Sequence, residues 1–331
     1  MQERLSPAET ESLRSAAATG NADARAVWGK YLLAIRPPDL REGITNIILA
    51  ANGGNAEAAY LIARHAAFGF GLPQNWITAL DFLQRAAERG HEPAQRDLAF
   101  LSGNADGDWK AQRAAVDVKQ WLTAPRAKTV STDPRVFIIE NFAAPEICDW
   151  MIARAKPRLE RAKIYAGSGW RHDPRRSNSD SYFPVSDTDM VFLMMQGRIA
   201  ATTGLGLDAM EAPAVLHYLP GQEFLPHVDF LDPESPGYVE QLAHLGQRVV
   251  TFLLYLNDDY EGGETEFPIV SWRYKGRKGD ALMFWNVGQD GAPDPNTKHA
   301  GRPPDSGEKW LLSQWMRWRP VEQMGIVRPT F

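Results

Sequence analysis

The sequence predicts a two-part α+β chain, in which an N-terminal array of α-helical hairpins precedes an antiparallel β-domain with supporting helices. Three observations predict this fold class. A short string rich in alanine and glycine recurs three times before residue 95, a polar stretch follows Gly103, and strand-like runs dominate after about Ala212. We therefore expect helical repeats over residues 1–103, a linker over 104–133 and the β-domain over 134–331.

Composition and charge exclude several classes of function. The 331 residues are 44% hydrophobic and 23% charged, which is ordinary for a globular chain with a sizeable core. The 36 Lys and Arg residues against 41 Asp and Glu give a net charge of −5, so we expect no nucleic-acid partner. The longest apolar run, Val249 to Leu256, is too short to span a bilayer, and the N-terminus shows no apolar signal segment. We therefore expect a cytoplasmic protein without membrane insertion.

The recurring string marks junctions between helices. It reads AAATGNADA from Ala16, AANGGNAEA from Ala50 and AAERGHEPA from Ala86, at spacings of 34 and 36 residues. Its glycine suits the left-handed C-terminal cap of one helix, and its alanines let two helices approach closely. The pattern resembles the Sel-one-like subclass of tetratricopeptide repeats over roughly residues 10–103. Such arrays bind other proteins through a concave face; the alternative is that so short an array only caps the neighbouring domain.

The second part of the chain begins with a strand and a helix and continues as strands. PRVFIIENF alternates like a strand, and APEICDWMIARAKPRLERA has apolar residues at helical spacing. The runs AVLHYL, RVVTFLLYLN, GDALMFWN and KWLLSQWMRW are rich in β-branched and aromatic residues and are separated by turn sequences. This pattern predicts an all-β sandwich or barrel with supporting helices.

One constellation in this β-domain carries chemistry. A lone cysteine, Cys148, supplies no thiolate zinc site, so any metal must be held by nitrogen and oxygen ligands. His227 and Asp229 form an H-x-D pair whose side chains share one face of an extended segment, and His299 follows 72 residues later. Two imidazoles and one carboxylate are the facial triad of non-haem Fe(II) oxygenases, which leaves three coordination positions open.

Those open positions suit dioxygen and a chelating 2-oxo acid. The distal carboxylate of such a co-substrate, buried in a barrel, needs a fixed cation. Lys309, ten residues after His299, is the candidate cation, with Tyr218 and Thr265 as hydroxyl partners. All these residues follow the last repeat, so the array is expected to take no part in the chemistry. A protein beginning near Thr132 should then keep 2-oxoglutarate turnover, unless the array is a structural cap.

The chain resembles the 2-oxoglutarate/Fe(II)-dependent dioxygenases of the prolyl 4-hydroxylase type over roughly residues 134–319. The matching strings are HYLPGQEFLPHVDF, RVVTFLLYLNDDYEGGETEFP, KGDALMFWN and KHAGRPPDSGEKWLLSQWMRW. The resemblance implies a double-stranded β-helix (jelly-roll) fold. It also implies roles for site residues. The implied iron ligands are His227, Asp229 and His299, and the implied 2-oxoglutarate contacts are Lys309, Tyr218 and Thr265. The implied substrate contacts are Arg248 and Trp315. The alternative roles are that Arg248 pairs with an acid and Trp315 packs in the barrel.

The resemblance further implies an activity. Fe(II), O2 and 2-oxoglutarate would hydroxylate an unactivated C–H bond with release of succinate and CO2, and ascorbate would serve as an accessory reductant. The expected substrate is a prolyl residue in a protein or peptide recruited by the repeats. The alternatives are another residue or a small molecule, a non-catalytic iron- and 2-oxoglutarate-binding adaptor, and a cupin-like metal isomerase.

The chain departs from the family pattern at the substrate side. Phe224 stands where the family commonly has tyrosine, so a substrate-facing hydroxyl is missing. Residues 167–183 occupy the place of a mobile loop that covers the substrate. The arginines of this segment, Arg171, Arg175 and Arg176, either recognise an acidic substrate or belong to a solvated loop, and the solvated loop is the favoured interpretation because such clusters are more often solvated.

Overall fold

A computed structural model describes residues 6–35, 37–104, 106–165, 169–184 and 187–318. These residues form two compact units. One contains the described residues of Met1–Thr123 and Val185–Arg198, and the other contains those of Ala124–Pro184 and Ile199–Ile326. Within the described residues, no helix has the length and apolar character needed to cross a bilayer.

The described residues form eleven α-helices. They are α1 (Pro7–Ala18), α2 (Ala22–Ala34), α3 (Leu40–Asn52), α4 (Ala56–Phe68), α5 (Trp76–Glu88), α6 (Glu92–Ser102), α7 (Trp109–Ala115), α8 (Val118–Leu122), α9 (Pro145–Ala155), α10 (Met190–Thr203) and α11 (Val239–Leu245). The segment 104–133, predicted as a linker, holds α7, α8 and the first strand.

Each copy of the recurring string ends one helix and begins the next. Its glycines, 20, 54 and 90, all have positive φ, where a side chain would be strained. The residue after each glycine caps the next helix, because its side chain accepts a hydrogen bond from the backbone three residues on. The acceptors are Asn21, Asn55 and His91, with distances of 2.9, 2.7 and 3.2 Å. The predicted helical hairpins are therefore present.

The start of α10 belongs to the helical unit. The Met190 amide at its first turn donates to Asp97 Oδ2 on α6 at 3.1 Å, and the Tyr60 hydroxyl donates to the same oxygen at 2.6 Å. Asp97 is fully buried, and burial together with the nearby Asp189 carboxylate raises its pKa to about 7. Later in α10, Gly197 lies so close to Trp76 that an added Cβ would collide with the indole.

The described residues of the other unit form sixteen strands. They are β1 (Lys128–Thr132), β2 (Arg135–Ile139), β3 (Glu160–Arg161), β4 (Ile164–Tyr165), β5 (Trp170–Arg171), β6 (Ser179–Tyr182), β7 (Ala214–Tyr218), β8 (Phe224–His227), β9 (Arg248–Tyr255), β10 (Glu261–Gly262), β11 (Thr265–Phe267), β12 (Trp272–Tyr274), β13 (Ala281–Trp285), β14 (His299–Gly301), β15 (Pro304–Ser306) and β16 (Lys309–Arg317).

These strands pair antiparallel in a large and a small sheet. The large sheet has the order β1-β2-β13-β9-β16-β7-β6-β3, and the small sheet has the order β12-β11-β14-β8. The pairs β10-β15 and β4-β5 stand apart from both sheets. Phe267 of the small sheet packs in one buried cluster with Tyr218, Tyr255 and Phe284 of the large sheet. The predicted fold class, a helical array followed by a jelly-roll domain, is confirmed.

The central strand β9 is buried along nearly its whole length because both faces of the large sheet are covered there. The helix α9 and the loop before it cover one face: Phe142 packs on Phe252 with ring centroids 4.8 Å apart, and the Cys148 thiol lies 3.8 Å from the Tyr255 carbonyl. The opposite face meets the small sheet. This enclosure explains why the β9 sequence is a continuous apolar run, and it makes Thr251 in the middle of the run conspicuous.

Candidate metal centre

The small sheet brings the predicted ligand residues together. His227 is the last residue of β8 and His299 is the first of β14, and the two are register partners across this antiparallel pair. Their ring centroids are therefore 4.4 Å apart. The Asp229 carboxylate lies 3.7 Å from His227 Nε2 and 3.5 Å from His299 Nε2. The ligand atoms of the three residues all lie within 4.8 Å of one another, close enough to share a cation.

Backbone carbonyls orient both imidazoles. His227 Nδ1 lies 2.9 Å from the Leu225 carbonyl, and His299 Nδ1 lies 3.0 Å from the Thr297 carbonyl. A carbonyl only accepts hydrogen bonds, so each Nδ1 carries the proton and each Nε2 keeps its lone pair for a metal. Burial, with the neighbouring His299, lowers the pKa of His227 to about 3, which keeps this ring neutral.

A relay of two polar side chains orients the carboxylate. The Thr251 hydroxyl donates to Asp229 Oδ2 at 2.7 Å, and it accepts a hydrogen bond from Asn286 Nδ2 at 2.9 Å. Burial alone would raise the pKa of Asp229, but the two imidazoles and the Thr251 hydroxyl lower it. Neither Thr251 nor Asn286 was predicted as a site residue. The one signal in the sequence was a threonine inside the apolar run of β9.

A narrow cavity of about 40 Å³ joins the metal-ligand cluster to Lys309, and Tyr218 and Thr265 also line it. Lys309 is the first residue of β16, pairs with Tyr218 of β7 and is fully buried. Among the described residues its Nζ has no hydrogen-bond partner, and burial lowers its pKa to about 7. The Thr265 hydroxyl shares a 2.8 Å hydrogen bond with the Tyr255 hydroxyl. A buried amine without a partner is costly, which marks this cavity as a receptor for an anion.

A wider cavity of about 450 Å³ adjoins the narrow one, shares His227 and Asp229 with it, and is also lined by Arg248 and Trp315. Arg248 donates to both oxygens of the Glu211 carboxylate, at 2.7 and 2.9 Å, and its guanidinium lies 3.7 Å from the centroid of the Trp315 ring. Arg248 therefore pairs with an acid, as the alternative role required, and also faces the cavity. Glu211 additionally binds Arg317, and together these interactions lower its pKa to about 2 against the effect of burial.

The solvated-loop interpretation is wrong for Arg176. Its side chain is 4% exposed and pairs with Asp180 at 2.8 Å. Its guanidinium lies 4.9 Å from the Phe224 ring centroid, and the Phe224 ring in turn stacks on His227 with centroids 3.5 Å apart. The residue that replaces the family tyrosine thus packs directly on the side chain of a candidate metal ligand. Arg175, in contrast, is 64% exposed, and two of its guanidinium nitrogens donate hydrogen bonds to the Asp173 carboxylate.

Two facing antiparallel sheets, a His-x-Asp and His cluster between them and a buried lysine beside it define a non-haem Fe(II) oxygenase that uses a 2-oxo acid. Comparison with known proteins agrees. The profile of the 2OG-Fe(II) oxygenase superfamily matches residues 213–317. Prolyl 4-hydroxylase 1 of Arabidopsis thaliana is 34% identical over 208 residues, which cover 58% of this chain and 72% of the relative. Probable prolyl 4-hydroxylase 6 of the same plant is 33% identical over 225 residues, covering 61% and 75%.

The chain therefore belongs to the prolyl 4-hydroxylase family of the 2OG-Fe(II) oxygenase superfamily, and the predicted family is confirmed. Among solved structures, the viral collagen prolyl hydroxylase of Paramecium Bursaria Chlorella virus-1 is similar at 25% identity with a TM-score of 0.43, covering 55% of this chain and 95% of that one. Fe(II), 2-oxoglutarate and O2, the predicted cofactor and co-substrates, are those of this superfamily.

Proposed function

We propose that this dioxygenase hydroxylates a prolyl residue in a protein or peptide and converts 2-oxoglutarate to succinate and CO2. The observation that carries the proposal is the shared narrow cavity, in which the metal-ligand cluster and the unpaired Lys309 meet. A cation at one end and an anion receptor at the other suit a co-substrate that chelates the metal through one end and carries a carboxylate at the other. The prolyl substrate is supported by relatives that are prolyl 4-hydroxylases.

The residues present fit this cofactor and co-substrate. His227 Nε2, His299 Nε2 and the Asp229 carboxylate would hold Fe(II), and Lys309 would bind the distal carboxylate of 2-oxoglutarate with Tyr218 and Thr265 as hydroxyl partners. When bound, the iron and 2-oxoglutarate supply the oxidising chemistry. The protein orients the ligands through Thr251 and through the two backbone carbonyls. Most of the side chains that line the narrow cavity are buried.

The substrate side offers two unused hydrogen-bond donors. Among the described residues, Trp315 Nε1 is buried without a partner, and Arg248 uses Nε and Nη2 on Glu211 but has no partner for its second Nη. Both groups only donate hydrogen bonds, so they suit a carbonyl oxygen of a bound peptide. We assign them to positioning the substrate, with Glu211 holding the guanidinium of Arg248 flat on the indole.

The test uses the full-length protein with Fe(II), 2-oxoglutarate and proline-containing peptides. We expect peptide-dependent succinate release together with a 16 Da mass increase on a prolyl residue. The Asp229→Ala variant should lose both metal retention and succinate formation. Full activity of Asp229→Ala, or succinate release that no peptide stimulates, would contradict the proposal.

We further propose that the Sel-one-like array recruits the protein substrate. It is supported by large apolar side chains exposed on three of its helices, which are Val27, Leu49 and Ile77. Replacing each by glutamate should raise the KM for a full protein substrate while leaving the KM for its short peptide unchanged. If the variants and the unaltered protein have the same KM for the protein substrate, recruitment by the array is rejected.

The proposal also includes a cytoplasmic location, which the single buried cysteine supports, and ascorbate as an accessory reductant.

A further inference from the structure

The wide cavity beside the candidate metal-ligand cluster is lined by more cationic than anionic side chains, although three of its cations also pair with carboxylates outside the lining: Lys163 with Glu160, Arg175 with Asp173 and Arg176 with Asp180. Among the described residues it has two carboxylates, Glu211 and Asp229, and Asp229 is one of the three candidate metal ligands. Its cationic side chains are Lys163, Arg175, Arg176, Arg248 and Arg317. A prolyl residue is neutral, so a cavity serving proline alone has no need of this charge.

The inner cations are fixed in the structure. Arg176 is neutralised by Asp180 at 2.8 Å and also donates to Asn178. Arg248 and Arg317 share the one carboxylate of Glu211, which leaves this buried trio with a net positive charge. That charge raises the potential in the inner cavity and favours an anion nearby. The guanidinium of Arg248 is nevertheless held by Glu211 and by the Trp315 ring.

The rim cations, in contrast, are more exposed and keep unused donors. Lys163 Nζ forms one ion pair among the described residues, with Glu160 at 3.9 Å, and its side chain is 44% exposed. Arg175 uses Nε and Nη2 on Asp173 and keeps its other Nη without a protein partner in the described chain. The two residues belong to adjoining segments, because the Lys163 carbonyl accepts a hydrogen bond from Arg176 at 3.0 Å.

Apolar surface accompanies these rim cations. Trp170 on β5 and Leu225 on β8 line the same cavity, and their side chains are 56% and 37% exposed. Leu225 is tied to the cationic segment, since its amide donates to the Arg175 carbonyl at 2.9 Å. A ligand for this rim therefore presents apolar groups next to a negative charge, which is the chemistry of a peptide with an acidic residue.

Resting on the proposed prolyl hydroxylation, we propose that the wide cavity selects a prolyl residue flanked by an aspartate or glutamate, whose carboxylate binds Lys163 and Arg175. The inner positive charge draws the acidic segment to the cavity, and the rim donors bind its carboxylate by charge-assisted hydrogen bonds. Proline-rich peptides without acidic residues lack the carboxylate that would accept hydrogen bonds from these donors.

The experiment compares two proline-containing peptides that differ by a single flanking residue, glutamate in one and glutamine in the other. Their binding to the full-length protein is measured without oxygen by fluorescence anisotropy, and their turnover is measured as succinate and hydroxyproline. We expect the glutamate peptide to bind roughly tenfold more tightly at low salt. We also expect this advantage to shrink as salt is added and to appear in KM rather than in kcat.

Three variants assign the effect to residues. Lys163→Gln and Arg175→Gln should each bring the affinity ratio of the two peptides toward one. Lys128→Gln removes an exposed lysine on β1, outside the cavity, and should leave the ratio unchanged. Equal affinities of the two peptides for the unaltered protein, or a preference that survives both rim substitutions, would overturn the inference.

The readouts also separate this inference from the function on which it rests. A glutamate preference in binding without hydroxyproline from either peptide would reject prolyl hydroxylation. Hydroxyproline formed equally from both peptides, with equal affinities, would reject only the acidic selection. Free glutamate that competes as strongly as the glutamate peptide would assign the rim to a small acidic molecule and reject a peptide ligand.

Discussion

The Thr251 hydroxyl fixes the Asp229 carboxylate, and Asn286 fixes the direction of that hydroxyl. Because the Asn286 amide donates to Thr251, the hydroxyl proton is directed at Asp229. Replacing Thr251 by valine keeps the shape of the side chain and removes the hydrogen bond. We expect Fe(II) affinity to fall by about 10- to 100-fold, measured by anaerobic metal titration.

The control for this prediction is Thr129→Val, which changes an exposed threonine on β1. Its metal affinity should equal that of the unaltered protein. An unchanged Fe(II) affinity in Thr251→Val would show that the carboxylate needs no relay.

Lys309 gives a second prediction at the scale of single residues. Lys309→Met fills similar space without charge, so the distal carboxylate of 2-oxoglutarate would be buried without a partner. That loss should cost about 3–5 kcal/mol, which is more than about a hundredfold in co-substrate affinity. Iron affinity should be retained, because Lys309 is not a candidate metal ligand. An unchanged 2-oxoglutarate requirement would assign the anion receptor to another cation.

The same lysine predicts a pH dependence of co-substrate binding. Burial lowers the pKa of Lys309 to about 7, and the ammonium form is the one that binds the carboxylate. The dissociation constant of 2-oxoglutarate should therefore be level below pH 7 and rise by about tenfold per pH unit above it. Anaerobic titrations between pH 6 and 9 measure this. Lys309→Arg, which stays charged, should show a level profile if it binds; a level profile in the unaltered protein would contradict the prediction.

At the scale of secondary-structure elements, Asp97 connects α6 to the first turn of α10. Its pKa is raised to about 7 in the folded protein, whereas an aspartate in an unfolded chain titrates at about 3.9. The folded state holds this proton to higher pH, so the free energy of unfolding contributed by Asp97 falls between about pH 4 and pH 7 and is level outside that range. Asparagine has no proton to lose.

We therefore expect Asp97→Asn to gain stability relative to the unaltered protein between pH 5 and 8, by roughly 2 kcal/mol. Its amide oxygen can still accept the hydrogen bonds from Tyr60 and Met190. Chemical denaturation at several pH values measures the effect. Asp81→Asn, which alters a half-exposed aspartate of α5, is the control and should show little change. Parallel pH profiles of Asp97→Asn and the unaltered protein would refute the prediction.

At the scale of the whole molecule, the structure bears on the truncation at Thr132. Residues 190–198 form one compact unit with the helical array, and the apolar side chains of α10 in this stretch are buried. A protein beginning at Thr132 would lose the partners of this segment and expose its apolar surface. We expect it to aggregate or to lose iron binding and turnover together, measured by light scattering and metal content. A soluble, monomeric truncated protein with full 2-oxoglutarate turnover would contradict this.

The local sequence determined the helix junctions of the array and one pair of candidate metal ligands, His227 and Asp229. The repeated Gly-Asn and Gly-His junctions specify a helix end and a helix start by backbone conformation and capping, which are short-range effects. The H-x-D spacing likewise predicted that His227 and Asp229 lie together, although β8 ends at His227 and Asp229 follows the strand. Motif resemblance then connected this pair to His299 and Lys309, which lie 72 and 82 residues after His227.

Tertiary structure alone decided which distant residues complete these features. Thr251 and Asn286 come together because β9 and β13 pair in one register, and a register is set by the packing of whole strands. Arg176 is buried because Phe224 and Asp180 enclose it, although its neighbours in the sequence are polar. The start of α10 joins the helical unit through Asp97, nearly a hundred residues away. Such contacts depend on long-range burial and charge pairing, which local propensity does not encode.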